Sequence, residues 1–177
     1  MPPQSNRKAN PWPPPTVSRF QLLESGRDDG FRSLVDDMVR FGAVLQTIRE
    51  KLARHMGVTP PQYSMLMHLA RCETGDLATS RLAVALGVTV AFVVTESNKL
   101  SALGLIERMR NPKDARSVLL RLTDLGRRKI GDAAPLISQV NDRLFAPLTR
   151  DKMRMLAQTN AALLACAEGA IALLNDA

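Results

Sequence analysis

Apolar residues recur at helical spacing over most of the chain. From Phe31 to Met56 they return every three or four positions, which predicts a long amphipathic helix that Gly57 ends. Thr59-Pro60-Pro61-Gln62 is typical of a helix start, where Gln62 can complete a capping box, and predicts a second helix to about Cys72. The last predicted helix, Arg150 to about Asn175, is apolar on nearly every face and needs a surface to cover it. That surface is either its own domain or, as we prefer, a second subunit.

Two shorter helices are predicted in the middle of the chain. One runs from Thr79 to Gly87 and begins at Thr79 or Ser80; the other lies within Val88 to Gly104 and can be capped by Thr89. A Gly-Val-Thr turn joins them, which is typical of a helix-turn-helix. The residues that can face inward are Leu82, Ala83, Leu86, Val93, Leu100 and Leu103.

The next stretch predicts a β-hairpin. Two apolar and basic runs, Leu105 to Arg110 and Ser117 to Thr123, flank an Asn-Pro turn signal, and the second run alternates as a half-buried strand does. The turn is expected to carry Lys113 and Arg116 into solvent. Alone, the hairpin could be a solvated basic surface with no partner. Directly after a helix-turn-helix, it predicts a winged helix-turn-helix.

Composition divides the chain further. Residues 1–16 hold six of the eleven prolines, so we expect an extended arm or a disordered tail. After the hairpin, Thr123-Asp124 is expected to begin a helix toward Phe145 that Pro135 kinks or divides. The predicted regions are the arm (1–16), N-terminal dimerisation helices (17–57), a DNA-binding winged helix-turn-helix lobe (58–123) and C-terminal dimerisation helices (124–177).

Charge points to a polyanionic partner. The chain has a net charge of +7 and a pI near 10.1. Residues 106–130 hold eight Lys or Arg against three acidic residues, so most of the excess surrounds the hairpin. Such a patch suits nucleic acid or an anionic membrane surface. Membrane is the weaker option because the patch is strand-turn-strand and not an amphipathic helix.

Catalytic and metal chemistry have little support in the residues. We find no glycine-rich phosphate loop, nucleophile elbow or paired His-Glu motif, so we expect neither an enzyme nor a cofactor. Cys72, Cys166, His55 and His68 lack metal-ligand spacing, and we expect two buried, reduced thiols. We expect no apolar run of membrane-spanning length, which predicts a cytoplasmic protein, located on the nucleoid when bound to DNA.

Several local motifs stand in register along the chain. They are Val58-Thr59-Pro60-Pro61-Gln62, Leu82-Ala83 with Leu86-Gly87-Val88, Leu100 with Gly104-Leu105-Ile106-Glu107-Arg108, Asp114-Ala115-Arg116, and Leu122-Thr123-Asp124-Leu125-Gly126. From about Phe31 to the C-terminus, the chain resembles the MarR family of bacterial transcriptional regulators. The resemblance implies a mainly α fold with a small β-hairpin wing, built as a winged helix-turn-helix domain plus a helical dimerisation region, in a homodimer.

The resemblance also implies a role for each DNA-binding element. The second helix of the helix-turn-helix enters a major groove of double-stranded DNA, the wing follows the adjacent minor groove, and Asp114 orients Arg116 there. A two-fold dimer then reads a pseudo-palindromic operator, usually to repress it. The residues expected to contact DNA are Ser80, Thr89, Ala91, Phe92, Thr95, Asn98, Lys99, Arg108, Arg110, Lys113, Asp114 and Arg116.

The predicted reading helix departs from the family pattern. Val90-Ala91-Phe92-Val93-Val94-Thr95 stands where polar and basic residues are common, and Glu96 occupies a position that is usually apolar and inward-facing. Ala91 or Phe92 could contact thymine methyl groups. We infer less direct base readout and a larger contribution from the wing and from DNA shape.

A small-molecule effector is a further implication of the resemblance. An aromatic acid or an acyl-thioester is the expected class, held by Met38, Arg40, Phe41, Leu45, Tyr63, Met67 and His68. The apolar members of this set could equally be core, and Arg40 a surface arginine. The alternative function is an architectural or protein-interaction module with little sequence specificity and no effector.

Overall fold

The computed structural model describes residues 12–72, 75–112 and 117–175, and within them the fold is mainly helical. Its elements in chain order are α1 (Asp29–His55), α2 (Pro60–Ala70), β1 (Leu77–Ala78), α3 (Thr79–Leu86), α4 (Val90–Ala102), β2 (Ile106–Arg110), β3 (Val118–Leu122), α5 (Asp124–Leu144) and α6 (Arg150–Asn175). A short 3-10 helix, Phe20–Leu22, precedes them. The predicted elements are therefore confirmed to within a few residues.

The chain divides into two compact units, one ending at Met65 and the other beginning at Leu66. The division falls inside α2. In the first unit the buried apolar residues lie at the end of α1 and in the first half of α2: Leu52, Ala53, Met56, Tyr63 and Met65. The Gln62 side chain accepts a hydrogen bond from the backbone N–H of Thr59 at 3.1 Å, so the capping role predicted for it is confirmed.

The second unit packs α3, α4 and α5 against a small antiparallel sheet. The strand order is β1-β3-β2, with Leu77 opposite Leu120 and Ile106 opposite Leu122. Leu120 and Leu122 are buried, as their alternation predicts. The other buried apolar side chains of this core include Leu82, Val93, Leu100, Leu105 and Ile106.

Two expectations from the sequence are wrong, and a third is wrong in part. Leu103 is 51% exposed, because at 100° per residue it falls on the flank of α4 that carries the exposed Phe92 and Lys99. Cys166 is exposed on α6 and Cys72 is only half-buried, so the expectation of two buried thiols is wrong. Of the two outcomes expected at Pro135, a kink or a division, division does not occur, because α5 continues through Pro135 as one helix.

The expectation that no apolar run reaches membrane-spanning length is also wrong. This helix of 26 residues is long and apolar enough to cross a membrane by length and composition, with a mean hydropathy of 1.3 in its most apolar window. No residue between Arg150 and Asn175 is buried in the single chain. The run is easily underestimated from the sequence, because charged and polar residues interrupt it near its start.

Candidate nucleic-acid interface

The connection between α3 and α4 has the geometry of a helix-turn-helix. The chain bends by 110° between these helices, within the range of about 90–120° found in this motif. Gly87 ends α3 with a φ of +66°, in the left-handed region that glycine adopts without strain. The backbone N–H of Val88 then donates to the carbonyl of Ala83 at 3.1 Å, which closes the end of α3 and sets the direction of the turn.

Local hydrogen bonding fixes the start of α4. The hydroxyl of Thr89 accepts from the backbone N–H of Phe92 at 3.2 Å, so the predicted cap is confirmed. The inner face of the helix buries Val93, Ser97 and Leu100. Glu96 is also buried, as its inward position implied, and its carboxylate pairs with Lys99 at 2.7 Å. This bond ties the lysine to its own helix.

The strands β2 and β3 form the wing. Arg110 lies opposite Val118, and the backbone N–H of Asn111 donates to the carbonyl of Ser117 at 3.1 Å. Arg110 is exposed, whereas Arg108 is half-buried. The Arg108 Nε is a buried donor without an acceptor among the described residues. Lys113, Asp114 and Arg116, predicted at the tip of the wing, lie outside the described residues.

An ion pair connects the wing to the segment before α3. The Arg121 guanidinium on β3 donates to both carboxylate oxygens of Asp76, at 2.6 and 2.8 Å. This pairing raises the pKa of Arg121 and lowers the pKa of the Asp76 carboxyl. Sequence reasoning missed the contact because 45 residues separate the partners.

Comparison with known proteins agrees with the winged helix-turn-helix geometry of α3, α4, β2 and β3. Residues 56–117 match the model of the MarR family. The HTH-type transcriptional repressor MdtR of Bacillus subtilis is 30% identical over 136 residues, which cover 75% of this chain and 86% of that protein. The chain belongs to the MarR family. It is a transcriptional regulator with a DNA-binding winged helix-turn-helix, and regulators of this family are not enzymes.

A second relative matches over a shorter region. The uncharacterized HTH-type transcriptional regulator YdcH of Bacillus subtilis is 34% identical over 73 residues. This match covers 41% of the present chain and 50% of YdcH. MarR family regulators bind DNA as dimers, and the family includes repressors.

Solved MarR structures share the fold over most of the chain. AbsC, a MarR family regulator from Streptomyces coelicolor, has a TM-score of 0.70 at 19% identity and covers 80% of this chain and 96% of its own. PcaV from Streptomyces coelicolor, solved with its natural ligand, has a TM-score of 0.57 at 28% identity over 72% and 91% of the two chains. NadR, solved with 4-hydroxyphenylacetate, has a TM-score of 0.64 at 21% identity and covers 92% of this chain and 97% of its own.

The structure brings most of the predicted DNA-contacting side chains to the surface of α3 and α4. Exposed residues from that prediction are Ser80, Thr89, Ala91, Phe92, Thr95, Asn98 and Lys99. Val90, which the prediction omitted, is 46% exposed in the first turn of α4. Sequence reasoning omitted Val90 because its side chain is apolar and offers no hydrogen-bonding group.

The residues predicted to bind an effector are divided between the two units. Met38, Arg40, Phe41, Leu45 and Tyr63 belong to the first, and Met67 and His68 to the second. Arg40 is exposed and pairs with Asp37 at 3.4 Å. Tyr63 is buried, and this burial raises its pKa. His68 lies against Arg71, whose guanidinium nitrogen is 3.0 and 3.2 Å from the two ring nitrogens.

A separate cleft lies where α5 meets α6. It has a volume of about 600 Å³ and is lined mainly by apolar side chains, among them Phe145, Leu148, Met153 and Leu156, with Arg150 and Asn160 also present. None of these residues was predicted to bind a ligand. Over the described part of the chain, no group of three or more His, Cys, Asp or Glu side chains could hold a metal ion.

Proposed function

We propose that this protein is a sequence-specific repressor that binds a pseudo-palindromic operator as a homodimer. The observation that carries the proposal is the 110° turn from α3 to α4 followed directly by the β2–β3 wing. A duplex can accept α4 in the major groove while the wing lies along the backbone beside it. Two copies related by a two-fold axis would read half-sites about one helical turn, or a multiple of it, apart.

The homodimer is supported by two exposed apolar surfaces. α6 presents Leu163, Leu164, Ile171, Leu173 and Leu174 to solvent in the single chain. Several apolar residues in the first half of α1 are exposed as well, including Leu34, Val39 and Phe41. Surfaces of this composition are typical of obligate subunit interfaces. A second copy of the chain would cover them, and we expect this dimer to act in the cytoplasm, on the nucleoid when bound to DNA.

Footprinting on genomic DNA that flanks the gene tests the function. We expect protection of one region with internal two-fold symmetry. Uniform, weak protection along the whole fragment would instead support the architectural module. The footprint therefore separates the two functions directly.

The wing contributes to the proposed specificity. By resemblance to the family, Arg116 enters the minor groove and Lys113 contacts phosphate. We expect Arg116→Ala to cost about 1–3 kcal/mol of specific binding, and Lys113→Ala to lower the slope of log K against log salt by about one. Titrations of operator and random duplex at several salt concentrations measure both. Unchanged operator affinity of Arg116→Ala would remove the wing from the proposal.

We further propose that a small aromatic acid, or its acyl-thioester, releases the protein from DNA. NadR was solved with 4-hydroxyphenylacetate and PcaV with its natural ligand, which supports this class of effector. Within the first unit, Phe41 and Tyr63 would contact the apolar part of the ligand and Arg40 would pair with its carboxylate. At about 100 times Kd, a ligand raises the free energy of unfolding by about 2.7 kcal/mol. A thermal-shift screen of aromatic acids would detect this gain, and Arg40→Ala should reduce it.

A further inference from the structure

We infer that α4 recognises its half-site chiefly through the C5-methyl groups of thymine. This inference rests on the proposed function and specifies the chemical group that is read. It comes from the outer surface of α4, where apolar groups are exposed and most of the polar groups are already bonded within the protein.

The outer face of α4 follows from its buried face. Val93, Glu96, Ser97 and Leu100 are buried and occupy one side of the helix. At 100° per residue, the residues opposite them are Ala91, Thr95 and Asn98, with Phe92 and Lys99 on one flank. All five are exposed. A helix that lies in the major groove with this face inward presents these side chains to the base edges.

The polar groups on this helix are largely engaged. The Thr95 hydroxyl donates to the carbonyl of Ala91 at 3.1 Å, and the Thr89 hydroxyl accepts from the backbone N–H of Phe92. Lys99 is paired with the buried carboxylate of Glu96. With its proton on Ala91, Thr95 can offer a base only an acceptor oxygen, and Lys99 can use its remaining N–H groups only from beside Glu96. The Thr89 hydroxyl keeps its proton, but this residue precedes the first turn of α4. Asn98 differs, because its exposed amide can bond adenine in the major groove.

Apolar groups form much of the rest of the outer face. Phe92 is 37% exposed on its flank, and Ala91 and Thr95 each present a methyl group. In the major groove, thymine alone among the four standard bases carries a methyl group, so it is the base that an apolar side chain distinguishes. Together with Asn98, these groups suit A·T pairs.

The test replaces thymine with deoxyuridine, which removes the methyl group and keeps the hydrogen-bonding edge. The full-length protein first selects its preferred duplex from a random library. Each thymine of the half-sites is then replaced in turn, and Kd is measured. We expect a loss of about fourfold at each thymine contacted by α4, equivalent to one buried methyl group. Replacement outside the half-sites should have no effect.

Protein variants assign the effect to α4. Phe92→Ala should bind the thymine duplex more weakly and lose the deoxyuridine penalty at one position. Thr95→Ser removes one methyl group but keeps the hydroxyl that bonds Ala91, so it tests the same idea if Phe92→Ala unfolds. Val84→Ala is the control, since Val84 is 84% exposed on α3 and lies outside this face.

The outcomes separate the inference from the function on which it rests. A preferred duplex that tolerates deoxyuridine at every half-site position would overturn the inference and leave the regulator intact. The inference is also overturned if both variants retain the full penalty. If no duplex is preferred over random DNA, the proposed function itself fails.

Discussion

Gly126 shows how one residue fixes the junction between the wing and α5. A Cβ atom at this position would collide with the carbonyl oxygen of Leu105, a backbone atom that cannot move aside alone. The same carbonyl accepts from the backbone N–H of Thr123 at 3.1 Å. The Thr123 hydroxyl donates to the carbonyl of Gly104 and accepts from the N–H of Gly126, at 2.6 and 3.0 Å. The start of α5 therefore lies directly against the start of the wing.

This contact predicts opposite effects for two glycines of α5. Gly126→Ala should lower the free energy of unfolding by about 1–3 kcal/mol, because a side chain must be forced into a closed space. Gly131 meets no atom within 4 Å of an added Cβ, so Gly131→Ala should stabilise the helix by about 0.5–1 kcal/mol. Urea unfolding followed by circular dichroism measures both. Equal effects from the two substitutions would contradict the close approach.

Residue roles are well predicted from the sequence where the cause is local. Thr89, Thr123 and Gln62 all form the caps expected of them, since a cap bonds to a backbone group only a few positions away. The need for glycine at 126 could not be predicted, because the obstructing carbonyl belongs to a residue that precedes the wing. Arg121 and Asp76 pair across the sheet, and this contact was not predicted for the same reason.

At the scale of elements, the start of α1 is joined to the segment that precedes it. Asp28 accepts from the backbone N–H and the hydroxyl of Thr16, at 2.6 and 2.7 Å, and from Arg32 at 3.1 Å. Arg32 also donates to the carbonyl of Pro14 at 2.6 Å. These bonds attach part of the proline-rich arm to the helix. An extended arm or a tail was expected from composition, but proline content does not reveal such an attachment.

The Asp28 cluster predicts an acid-sensitive arm. The bonds from Thr16, followed by that from Arg32, hold the pKa of Asp28 well below its ordinary value. The carboxylate therefore stabilises the attachment above about pH 4, and this contribution is lost as the pH falls through the lowered pKa. At neutral pH, Asp28→Asn should hasten tryptic cleavage at Arg19, which lies between the bonded Thr16 and Asp28.

A matched substitution separates this effect from loss of any acid near α1. Asp37 pairs with Arg40 on the surface, with both side chains largely exposed (72% and 77%). Asp37→Asn should leave the cleavage rate unchanged. Equal cleavage of the wild type and of Asp28→Asn would show that the cluster does not hold the arm.

At the scale of the whole molecule, α6 is the helix with the most exposed apolar surface, and we propose that a second subunit covers it. The sequence indicated that this helix is apolar on nearly every face, and the structure leaves it uncovered in the single chain. Helical periodicity reveals which residues share a face, but the partner of that face lies outside the chain. The fold of the DNA-binding lobe was therefore predictable, whereas the surface that covers α6 was not.

A charge placed on α6 should disrupt the proposed dimer. Leu164 and Leu173 are 74% and 72% exposed in the single chain. Leu164→Glu with Leu173→Glu would bury two unpaired carboxylates in the interface, so we expect a monomer in sedimentation. Operator affinity should fall by about a hundredfold or more, because the two half-sites are no longer bound together. Gln158→Glu, on a polar exposed position of the same helix, is the control.

Two results would contradict the interface. A wild-type protein that sediments as a monomer at micromolar concentration would show that α6 needs no second subunit. Recovery of the wild type only with membranes or detergent would favour a membrane for this helix, in agreement with its length and composition.

The attached arm also determines what the protein's fluorescence reports. Trp12 is the single tryptophan of the chain, and its side chain is 90% exposed. An indole that is already in water changes its emission little when a distant core unfolds, whereas circular dichroism follows the helices. Denaturation curves from these two probes therefore need not coincide, even if the core unfolds in one step. A difference between them would describe the surroundings of the arm, and it should not be assigned to a folding intermediate of the core.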